Sequence, residues 1–111
     1  MTNEQMKMIV RKAIELASAR EVSGNKTDRF ARTLDFWPTA TFAERASTMA
    51  NLLALDAGAD VSDRATCAVN AERAALRERQ VWGVDNEFYD GSAFAARLAA
   101  ELNWPLLSNA M

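Results

Sequence analysis

Histidine is absent from this chain of 111 residues, and cysteine, tyrosine, proline and glycine are scarce, at one, one, two and four. Each shortage removes a class of chemistry. Without His, the commonest general base, metal ligand and triad member is missing. The single Cys67 cannot close an internal disulfide, and with no His beside it cannot build a zinc site; one thiol also fits a reducing compartment. The glycines at 24, 58, 83 and 91 are scattered at element ends and form no phosphate-binding loop. No apolar run reaches the roughly 18 residues of a membrane span. Near the N-terminus Lys7 and Arg11 interrupt the apolar residues, so no signal-peptide core is expected. These absences predict a cytoplasmic chain with no membrane partner.

Charge of one sign is also lacking. The net charge is −2; residues 1–45 hold eight Lys/Arg and six Asp/Glu, and residues 46–111 hold five and nine. A contrast of +2 against −4 makes no basic footprint, so nucleic acid is not an expected partner.

What remains is Ala. Half the chain counts as hydrophobic, but 22 residues are Ala, and Leu, Ile, Val and Phe together number 23. Ala-rich helices form readily, yet each buries little apolar area. A chain of this length makes one domain, residues 1–111, with a thin core that a self-association surface would complete.

The least ambiguous stretch is TFAERASTMANLLALDAG, Thr41 to Gly58. Thr41 and Glu44 form a capping box, and Gly58 stands where a C-terminal left-handed residue is wanted. Phe42, Ala46, Met49, Ala50, Leu53 and Ala57 follow in steps of three and four, with Leu52 and Leu55 widening the stripe. A helix apolar over so much of its girth is central, at about 42–57, with neighbours on several sides.

The other elements are arranged around it. Thr2 and Gln5 form a second capping box, and Met6, Ile9, Val10, Ala13, Leu16 and Ala17 predict an amphipathic helix from Asn3 to about Glu21. Asn25 or Thr27 caps a second helix with Phe30, Leu34 and Trp37 at i, i+4 and i+7 and Ala31 beside them, stopped by Pro38. Adjacent Phe36 and Trp37 cannot both point inward. Ser62 is the expected cap of a helix from Asp63 to about Gln80, with a seam of Cys67, Ala68, Ala71, Ala74 and Ala75 flanked by Val69 and Leu76. Such a seam suits a helix at a bundle edge or across a dimer. Residues 80–91, QVWGVDNEFYDG, read as an aromatic-rich loop. A fifth helix is expected from about Ser92 to Trp104-Pro105. The fold class is therefore all-α, a compact bundle of four to five helices.

Little chemistry is placed by spacing. Asp85, Glu87 and Asp90 do not match a calcium loop, and Asp60 and Asp63 suit a helix N-terminus. Cys67 reads as a small buried apolar residue. A helix-turn-helix would set Arg64, Asn70, Arg73 and Arg77 toward DNA, but the turn is about two residues too long and Glu72 and Glu78 interrupt the face.

The reading is a small non-catalytic binding protein, with no cofactor and no metal, that self-associates through an aromatic-containing surface. A dimer is favoured, and another protein is a further partner. The candidate contact residues are Trp37, Trp82, Asp85, Glu87, Phe88, Tyr89 and Trp104. The alternative is a helical regulator binding DNA or a small ligand; a third is a hydrolase built on carboxylates and a metal.

Overall fold

Thr2 opens the first helix. In the computed structural model, which describes residues 1–82 and side-chain surroundings through residue 77, its hydroxyl accepts the Gln5 N–H at 3.1 Å and the Gln5 side chain accepts the Thr2 N–H at 2.8 Å. Four α-helices follow: α1 Asn3–Ser18, α2 Lys26–Ala31, α3 Phe42–Asp56 and α4 Val61–Trp82, with a 3-10 turn at Trp37–Thr39. The described residues contain no strand, and the architecture is all-α.

α3 is the central element. It packs most extensively against α4, and also against α1 and α2. Both capping-box bonds of Thr41 and Glu44 are present at 3.1 Å. At the other end Gly58 adopts φ +83°. The Gly58 N–H reaches the Leu55 carbonyl and the Ala59 N–H the Ala54 carbonyl, a Schellman closure. Phe42, Ala43, Ala46, Met49, Ala50 and Ala54 are buried, Leu52 and Leu53 are half-buried, and Leu55 is exposed.

The core is thin, as the composition implies. Among the described residues ten of the eighteen buried apolar side chains are Ala, and the large ones are few: Met6, Val10, Ile14, Leu16, Trp37, Phe42 and Met49. Helices lined by Ala approach closely but remove little surface from water.

The helix ends depart from the sequence reading in four places. α1 stops at Ser18 rather than near Glu21, because Arg32 collects the carbonyls beyond it: Nη2 donates to Ala19 at 3.0 Å and to Glu21 at 3.2 Å. α2 is only six residues long. Asn25 caps it by accepting the Thr27 and Asp28 N–H groups. After Ala31 the chain tightens into i→i+3 bonds, Thr33 to Phe30 and Leu34 to Ala31, and the Thr33 hydroxyl donates to the Phe30 carbonyl at 2.6 Å. α4 is capped by Asp60, not Ser62, since Asp60 Oδ1 accepts the Asp63 N–H at 2.8 Å. α4 also continues through Trp82, so residues 81–82 belong to the helix and not to the loop expected there. The loop residues beyond, and the expected fifth helix, lie outside the described residues.

One polar cluster ties α1 to α2. Asp28 is fully buried; its Oδ2 accepts the Ser23 N–H at 2.8 Å and its Oδ1 meets Arg32 Nε at 2.9 Å. Arg32 is thereby aimed at the C-terminal carbonyls of α1, which have no partner within their own helix.

Candidate functional site

α4 carries apolar residues on two opposite faces. The inner one is the seam: Cys67, Ala71, Ala74 and Ala75 are buried, and Ala68 is half-buried. Val69 and Leu76 do not flank this seam as expected. Each is 43% exposed, and Val61 is 76% exposed. At about 100° per residue, Val61, Ala65, Val69 and Leu76 fall within roughly 80° of arc opposite Cys67, Ala71 and Ala74. Exposed Glu72 falls within this arc, between Val61 and Ala65, and exposed Arg73 borders it beyond Val69.

Of the residues singled out from the sequence, Trp37 lies in the core at 7% exposure. It is a packing residue of the monomer rather than a surface contact. Its neighbour Phe36 takes the outward side at 46%, and Phe30, spaced to share a stripe with Leu34 and Trp37, is 55% exposed. The cause is the short α2: with i→i+3 bonds after Ala31, a stripe spaced for an α-helix no longer falls on one face. Trp82 is the last residue of α4. Its side chain, and Asp85, Glu87, Phe88, Tyr89 and Trp104, lie outside the described residues.

The residues of the helix-turn-helix reading do not share a face. Asn70 is 1% exposed, with Nδ2 donating to the Thr66 carbonyl at 2.7 Å, and Arg64 Nε donates to Asn51 Oδ1 at 3.0 Å.

The carboxylates are separately occupied. Asp56 meets Lys26 at 3.0 Å, Asp60 caps α4, and Asp63 meets the Met1 ammonium at 3.1 Å. No group of three His, Cys, Asp or Glu side chains among the described residues is placed to hold a metal ion. Glu44 is held below the usual carboxylate range by the Thr41 N–H it accepts. Burial pushes the Cys67 thiol up to about 11, with Asp63 adding to the rise. A neutral, fully buried thiol is a poor nucleophile.

A cleft of about 460 Å³ runs between the first half of α1 and the α3–α4 turn, lined in part by Met1, Met8, Ile9, Gly58 and Asp63. Of its charged groups, the Met1 ammonium meets Asp63, and Asp60 is taken up as the cap of α4. No described helix is long and apolar enough to cross a membrane.

These features define a small all-α bundle with one two-faced helix. Comparison of the chain with protein families, characterised proteins and solved structures finds no match.

Proposed function

We propose that this protein is a non-catalytic helical interaction module that works by self-association, as a dimer first and with other proteins as further partners. The observation that carries this reading is α4, apolar on the face that meets α1 and α3 and apolar again on the face that meets water. An Ala-lined core leaves little area buried within one chain, and pairing of outward faces adds to it. Large apolar side chains outside the core, Phe30 and Phe36 among them, supply the adaptable contact area common at interfaces. The aromatic surface extends, on this reading, to Trp82, Phe88, Tyr89 and Trp104, with Asp85 and Glu87 meeting cationic groups of the partner. The chain acts without cofactor or metal, and in the cytoplasm.

The test is Trp82→Ala, followed by circular dichroism and by sedimentation. Retained helicity with weakened association supports an aromatic contact surface. Lost helicity makes Trp82 a plug of the bundle and counts against it.

A further inference from the structure

We draw no further inference here: the strongest candidate, the outward apolar face of α4 formed by Val61, Val69 and Leu76, carries the charged Glu72 within its arc, and nothing in the structure shows what covers it.

Discussion

Asp28 shows how much of this molecule hangs on single polar groups. It is the one fully buried carboxylate among the described residues, and it holds Ser23, Arg32 and, through Arg32, the end of α1. Removing one partner of a buried pair leaves the other without compensation. Asp28→Ala is therefore expected to cost about 3 kcal/mol of unfolding free energy in a urea titration. Exposed pairs such as Lys12–Glu15 are worth far less, under about 1 kcal/mol. Cys67 gives a second prediction. Its thiol rises from the ordinary 9.0 to about 11 in the folded chain. The unfolded chain loses that proton first, so stability is full below pH 9.0 and declines as the pH rises toward about 11. Cys67→Ala removes this alkaline loss. Below pH 9.0 the native thiol reacts with iodoacetamide only as fast as the chain opens. At this scale the sequence was partly legible. Adjacency showed that Phe36 and Trp37 could not both turn inward; which one did depended on the tightened turn after Ala31.

Among the elements, α3 was readable because its determinants are local. The Thr41 box, the periodic stripe and Gly58 all act within a few residues. Thr41→Ala is expected to lower stability by about 1 kcal/mol. Gly58→Ala is expected to lower it by about 1–2 kcal/mol, through the left-handed backbone alone, since nothing lies within 4 Å of an added Cβ. Thermal melts of the two variants check both. α2 was misread in length because its end is set at a distance: Arg32 turns back to Asp28 and to the carbonyls of α1, which no spacing rule reveals. The start of α4 lies two residues earlier than spacing suggests because Asp60 and Ser62 are both good caps, and it is the Asp60 carboxylate that accepts the Asp63 N–H. The two faces of α4 were harder still. Spacing alone sets Val69 and Leu76 beside the inner seam; small residues on the inner face and larger ones on the outer reverse the usual pattern for a bundle helix.

For the whole molecule, composition carried the most information. So much Ala foretold helices and a thin core. The bundle itself and the central position of α3 are what the structure bears out. Which apolar residues are exposed was less accessible to sequence reasoning: Trp37 is internal, Phe30 and Phe36 are external, and Val61, Val69 and Leu76 of α4 face outward. The account turns on association between copies of this chain. Its most direct test is sedimentation equilibrium of the full chain across micromolar concentrations. The predicted result is a reversible species of twice the 12.2 kDa chain mass, dissociating on dilution. A single 12.2 kDa species at every concentration would contradict it.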